Sequence, residues 1–292
     1  MEDRFSISGF TIVRNARKLD YPFRESVLSV LPLCDEFVIN CGDSSDDTWE
    51  ICQSLKKDYP EKIQLITSVW EKKNQKGGWQ LKAQTDAALK QCRGRWCLYL
   101  QADEAIHESD WVRIREAMNR ADAEPEIDGI LFDYLHFYGN YDYRITGRNW
   151  YRREVRAFKN GRAIEAYRDA QGFRIGERKL LVVPSKARVF HYGYVRSPDS
   201  MKTKEGEMSQ WWGETPDSGE SSFELRRHVG LQRFRASHPA VMRERIQNQS
   251  QAFDPSQCPR RWDKNEIKNA ITFLWESVVP YRIGEFRNYR LR

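Results

Sequence analysis

Residues 97–108 read CLYLQADEAIHE. An apolar run, Cys97 to Leu100, ends in Gln101, Ala102, Asp103 and Glu104. Two adjacent carboxylates at the end of a buried strand either meet solvent or hold a hard cation over a ligand cleft. Such a cation needs oxygen ligands on a rigid support, and a strand end supplies one. Two earlier strand-like runs also end in polar residues: GFTIV (9–13) in Arg14 and Asn15, and EFVIN (36–40) in Gly42 and Asp43. Three polar strand ends on one sheet edge favour a site over solvent exposure.

The elements that would position these residues follow from periodicity. Phe23, Val27, Val30 and Leu31 recur at helical spacing after Pro22, which can open a helix. GDSSDDT (42–48) is turn chemistry that can also cap the helix WEICQSLKK. KIQLIT (62–67) is a strand, NQKGG (74–78) a polar loop, WQLKAQTDAALKQC (79–92) a helix and RWCLYL (95–100) a fourth strand. Strands alternating with crossover helices predict an α/β protein with a doubly wound, mainly parallel, Rossmann-like sheet. In such sheets ligands bind at the carboxyl ends of the strands.

Beyond Glu108 the pattern predicts a helix over DWVRIREAMNRA, a strand over 128–139, and a β-rich stretch over 140–196 with arginines among aromatics. From residue 198 the chain becomes polar and rich in turn-formers. Helical patterns follow in FELRRHVGLQRF and NEIKNAITFLWESVV. Residues 198–292 are therefore expected to form a helical and irregular C-terminal extension. Its last stretch, from 271 to 292, mixes apolar and basic residues, which suits packing on the core, a partner subunit or a membrane surface.

Composition narrows the function. The 292 residues are 40% hydrophobic and 31% charged, with a net charge of +6. No segment approaches the roughly 20 apolar residues of a membrane span, and the N-terminus is no signal peptide. The expectation is a cytoplasmic protein, with peripheral membrane contact left open. The modest positive charge suits an anionic substrate. No zinc-finger or RNA-recognition signature points to nucleic acid. The six cysteines lack C-x-x-C spacing, which predicts buried reduced thiols. A dinucleotide G-x-G-x-x-G, a P-loop and a G-x-S-x-G elbow are all missing.

In order and spacing, the segment from Phe10 through GDSSDDT, the helix bearing Lys82, and GRWCLYLQADE resemble a family 2 glycosyltransferase of the GT-A fold over about residues 9–140. Weaker resemblance continues through WYRREVRAFKN, DAQGFR and FHYGYVR. The resemblance implies residues 1–197 as the GT-A domain, with 9–140 as the nucleotide-sugar half and 141–197 as the acceptor half. It further implies a nucleotide-sugar donor, a UDP-sugar ahead of a GDP-sugar, a divalent Mg or Mn ion, and inversion at the anomeric carbon. The acceptor would be a glycan or lipid-linked hydroxyl, in surface polysaccharide or other glycan assembly.

Carried over residue by residue, Arg14, Asn15, Asp43, Lys82 and Gln101 would bind donor. Asp103 would hold the metal with His191 as a further ligand, since neutral imidazole is a common metal ligand. Two positions depart from the family pattern. Gln101 replaces the first acid of D-x-D, for which Glu104 is a substitute. Cys41 stands where the base-contacting acid is expected, with Asp43 two residues on. The general base must be a carboxylate opposite the departing diphosphate, within reach of the acceptor hydroxyl whose proton it takes. Among Glu154, Glu165 and Asp169, Asp169 is preferred and Glu165 second. The rival readings are a non-catalytic nucleotide-sugar-binding module, favoured by Gln101, and a nucleotidyltransferase, which would need a Gly-rich loop after the first strand.

Overall fold

A computed structural model describes residues 5–71, 77–212, 224–249, 253–279, 282 and 285–292. Part of the predicted 74–78 loop and of the polar stretch after residue 212 lies outside the described residues. The chain opens with β1 (Ile7–Val13), α1 (Phe23–Val30), β2 (Glu36–Gly42), α2 (Thr48–Asp58), β3 (Ile63–Ser68), α3 (Trp79–Leu89) and β4 (Trp96–Tyr99). It continues with β5 (Glu104–Ile106), α4 (Trp111–Asp122), β6 (Gly129–Tyr138), β7 (Asn140–Ile145), β8 (Arg153–Lys159), β9 (Glu165–Tyr167), β10 (Gly172–Ile175) and β11 (Arg178–Tyr194). The C-terminal stretch forms α5 (Pro198–Trp212), β12 (Leu231–Arg233), α6 (Arg243–Gln247), α7 (Lys264–Val278) and β13 (Tyr289–Leu291).

The main strand order is β3-β2-β1-β4-β8-β6-β11-β10-β9. β3, β2, β1 and β4 run parallel, as the alternation of strands and helices predicts. β8 enters antiparallel between β4 and β6, and β6 and β11 pair parallel. Side-chain alternation explains the two-sided burial. Phe37 and Ile39 of β2, with Trp96 and Leu98 of β4, pack on one face under α1, α2 and α4. Val38, Cys97 and Tyr99 take the other face, under α3 and the β9–β10 hairpin. Both faces are covered, so the strands read as nearly continuous apolar runs.

Two local readings of the C-terminal stretch are corrected. FELRRHVGLQRF is not helical: residues 224–228 have no regular structure, and β12 pairs with β7. Gly230 causes this. Its φ is +85°, and a Cβ there would sit 2.0 Å from the Thr146 carbonyl oxygen, so the strand can approach β7 only without a side chain. Conversely, residues 198–212 form a helix that begins at Pro198, a favourable first-turn residue. α7 forms as its pattern predicts. The Asp263 side chain caps it by accepting from the Asn265 and Glu266 amides at 2.9 and 2.8 Å.

Candidate active site

The parallel strands β1, β2 and β4 deliver their polar ends to one edge, where a cleft of about 240 Å³ opens. Arg14, Trp70, Tyr99, Gln101, Asp103, Tyr151, Asp169 and His191 line it. α5 closes it from outside with Lys204 and Glu207.

The two adjacent carboxylates have opposite fates. Glu104 is fully buried in a bidentate pair with Arg156, at 2.9 and 2.8 Å, and also accepts from the Tyr134 hydroxyl at 2.7 Å. It does not line the cleft, being taken up by Arg156, Tyr134 and the Gln101 amide, so it does not substitute for the acid missing at Gln101. Removing one partner of such a pair leaves a buried charge uncompensated. Arg156→Met should therefore lower unfolding free energy by about 3–5 kcal/mol in urea titration. A loss below about 1 kcal/mol would mean that Glu104 finds water or another partner.

Asp103 turns into the cleft. Its carbonyl oxygen accepts from the Tyr192 amide at 2.8 Å, which ties it to β11. Its Oδ2 lies 3.2 Å from Lys204 Nζ, 3.7 Å from Arg196 Nη2 and 3.8 Å from His191 Nε2. Burial alone would raise its pKa, but Lys204, His191 and Arg196 overturn that and hold the carboxyl well below the usual range. The β5–β11 ladder sets Glu104 opposite His191 and so brings its neighbour Asp103 to the imidazole.

A hydrogen-bond chain fixes the imidazole's tautomer. Burial pushes His191 down to about 4 and His136 down to about 3, so both rings are neutral at pH 7. His136 Nε2 lies 2.7 Å from the Tyr151 carbonyl, which can only accept, so this nitrogen carries the proton. His136 Nδ1 must then accept from His191 Nδ1 at 3.0 Å. The lone pair of His191 is left on Nε2, on the Asp103 side.

These residues offer a divalent cation two side-chain donors and a carbonyl. Among the described residues no cluster of three His, Cys, Asp or Glu side chains is formed. The available donors are the Asp103 carboxylate, His191 Nε2 and the Gly193 carbonyl. The Lys204 ammonium stands in for a cation here, 3.2 Å from Asp103 Oδ2 and 3.3 Å from Gly193 O. A Cβ on Gly193 would lie 2.6 Å from His191 Nε2 and 3.1 Å from Asp103 Oδ2, which would fill the same space.

The remaining sequence-derived candidates separate. Arg14 lines the cleft and bridges Asp43 at 3.3 Å and Glu207 at 3.2 Å. Asn15, with φ of 52°, accepts from the Ser45 amide at 2.8 Å and donates to Glu207 at 3.0 Å. Asp43 accepts from the Trp70 amide at 3.1 Å, at the rim. Cys41 is buried and does not line the cleft. Lys82 is placed elsewhere: its ammonium binds Asp86 at 2.5 Å and Glu165 at 2.9 Å in a separate groove between α3 and β9. That pairing also removes Glu165 from the cleft.

Asp169 does line the cleft, in a turn flanked by Arg168 and Ala170 at φ of 54° and 60°. Its Cβ lies where a side chain on Gly78, before α3, would clash. Burial raises its pKa, although its own amide and that of Gln171 pull it down. Glu154 sits behind, buried and bonded to Gln171 Nε2 at 3.2 Å, and burial pushes it up to about 8. Of the three candidate bases, only Asp169 reaches the cleft.

Sequence reasoning missed Lys204 and Glu207. They are three residues apart on α5 and so share one helix face. Glu207 accepts from Lys18 Nζ at 2.8 Å as well as from Arg14 and Asn15. It missed His136 too, whose signal was its place opposite His191 in the β6–β11 register.

The family model for glycosyl transferase family 2 matches residues 21–182, more than half of the chain. No curated protein matches. Among solved structures, S. aureus TarS 1-349 in complex with UDP is 19% identical with a TM-score of 0.34, over 46% of this chain and 37% of that one. Mannosyltransferase PcManGT from Pyrobaculum calidifontis, in complex with GDP-Man and Mn2+, is 18% identical with a TM-score of 0.31, over 44% and 35%. The chain thus spans little more than a third of the length of these structures. With its parallel β3-β2-β1-β4 half and its matched core, the chain belongs to family 2 of the glycosyltransferases and has the GT-A type of fold.

Proposed function

We propose that this glycosyltransferase inverts the anomeric carbon as it moves a sugar from a nucleotide-diphosphate donor to an acceptor hydroxyl. The observation that carries the reading is that one cleft is lined by both Asp103, just past a strand end, and Asp169, while Glu104, Glu154 and Glu165 do not line it. In this reading residues 1–197 form the transferase domain, with 9–140 the donor half and 141–197 the acceptor half, and 198–292 is an extension that covers the cleft. The donor is a UDP-sugar or a GDP-sugar. The acceptor is a glycan or lipid-linked hydroxyl in polysaccharide assembly, met with peripheral membrane contact.

Asp103 and His191 would hold Mg or Mn, which when bound offsets the charge growing on the departing diphosphate. Asp103 is already kept ionised by its cationic neighbours, and His191 presents its lone pair. Arg14 and Asn15, now answered by Glu207, are the donors suited to diphosphate oxygens. Trp70 and Tyr99 wall the cleft, and Gln101 offers a neutral hydrogen-bonding group. Asp169 takes the proton of the acceptor hydroxyl, whose oxygen attacks opposite the departing diphosphate. Its raised pKa makes it the better proton acceptor, while Asp103 is the poorer one.

One nucleoside diphosphate, UDP or GDP, with Mn should raise the melting temperature, because a ligand that binds only the folded state stabilises it by about 2.7 kcal/mol at a hundred times its Kd. No shift with either at millimolar concentration removes the donor assignment. A screen of nucleotide sugars for metal-dependent release of nucleoside diphosphate then names the donor. Gln101 and the Lys204 ammonium beside Asp103 favour a second reading, a nucleotide-sugar-binding module without turnover. Hydrolysis or transfer of any nucleotide sugar excludes it.

A further inference from the structure

α7 is amphipathic in the reverse sense. Its buried residues are polar: Glu266, Asn269 and Thr272. Glu266 accepts from the Val229 amide at 2.5 Å, and Asn269 from the Arg148 amide at 3.2 Å, so the polar face is stitched to the body. Apart from the half-buried Ala270 and Phe273, its apolar residues face out. Ile267, Ile271, Leu274, Trp275 and Val278 are between 45% and 82% exposed. Positions 267, 271, 274, 275 and 278 fall on a single helical stripe. An apolar stripe of this length on one helix is an interaction surface, not scattered exposure.

Charge says what it meets. Lys264 and Lys268 lie on the same exposed side. Arg260, Arg261 and the exposed Trp262 precede the helix, with Arg260 over the Trp262 ring at 5.2 Å. Among the described residues of α7 no carboxylate sits on the stripe: Glu266 is buried, and Glu276 is paired with Arg282 at 2.6 Å. Beside the stripe an open cavity of about 620 Å³ is lined by Leu274, by Arg227, His228 and Arg260, and by one acid, Asp254, which is bonded to Ser256 and Gln257. Two copies meeting on this face would bring Lys264, Lys268 and Arg260 together, and the nearby acids are already engaged within the chain, Asp263 as the helix cap, Glu224 with Arg261 and Asp254 with Ser256. An anionic lipid surface answers both features, taking up the apolar stripe below its headgroups and pairing its phosphates with the rim cations. Among the described residues no helix is long and apolar enough to cross a membrane, so α7 would lie on one.

We propose that α7 docks the protein flat on an anionic lipid surface, with Ile267, Ile271 and Val278 inserted and Lys264, Lys268 and Arg260 at the phosphates. The proposal deepens the peripheral membrane contact above, but its surface lies outside the donor cleft, so either can fail alone. The test is co-sedimentation of the full chain with vesicles of phosphatidylcholine, with and without phosphatidylglycerol. The protein should pellet with the anionic vesicles and stay in solution with the neutral ones. Binding should weaken steeply with salt. I271E with V278E should cut partitioning at least about tenfold, with unchanged melting temperature and nucleoside-diphosphate binding. K264E with K268E should weaken binding and flatten its salt dependence. Absence of pelleting with anionic vesicles, or full binding by I271E/V278E, overturns the proposal. A dimer in light scattering that the same pair dissolves would assign the face to a second copy and likewise overturn it.

Discussion

Asp103→Asn should abolish metal-dependent donor binding, with turnover lost below detection. The substitution keeps the side chain's size but removes the carboxylate charge that faces Lys204, Arg196 and His191. Arg196 is fully buried, with its Nε and Nη2 atoms lacking hydrogen-bond partners, so the variant leaves cations without an answer. Removing one member of a buried pair costs about 3–5 kcal/mol, so the variant should also melt lower. The decisive measurement is Mn calorimetry on protein shown by circular dichroism to be folded. Unchanged Mn affinity would move the metal away from Asp103. Gln101→Asp offers the opposite sign, since a second carboxylate at the strand end should tighten Mn.

Asp169→Asn should lower turnover by at least about a hundredfold, because general-base catalysis is worth about 10²–10⁴. Donor and metal affinity should change little, since Asp169 is held by its turn and not by the cations at Asp103. The two variants thus divide the site: one loses the donor and metal, the other loses only the chemical step. Near-normal turnover in Asp169→Asn with loss in Glu165→Gln would shift the base to Glu165 and require the Lys82–Glu165 pair to open. Activity in both would discard the acceptor half of the mechanism while leaving the donor half standing.

How far the sequence discloses this site depends on the range of the interaction involved. The strand ends at Arg14, Asp43 and Gln101 are legible because apolar runs announce buried strands and the parallel arrangement sends their ends to one edge. Which of Asp103 and Glu104 enters the cleft is not legible. It is decided by Arg156, 52 residues away, which takes Glu104 into the core. Lys82 shows the same limit. Its Asp86 partner at i+4 is visible in sequence, but Glu165, 83 residues on, is not, and the two together hold it away from the cleft. α5 escaped notice because its residues are polar on most sides and its site-facing pair, Lys204 and Glu207, carries no apolar periodicity. The charged and apolar residues of β12 suit a helical or a strand period, and only the Thr146 contact at Gly230 decides between them.

The open edges of the sheet bear on solubility. β11 runs from Arg178 to Tyr194, but β10 covers only Arg178 and Lys179 on one flank and β5 only Val189–His191. Between them Leu180–Val182 would present an open ladder of amides and carbonyls, a template for pairing with another chain. Tyr289–Leu291 lie parallel along these three residues, and the Arg292 amide donates to the Val182 carbonyl at 3.1 Å. β12 does the same for β7. The C-terminal stretch therefore acts twice as an edge strap, filling the hydrogen-bonding row that a mixed sheet leaves exposed and guarding the chain against strand-to-strand aggregation.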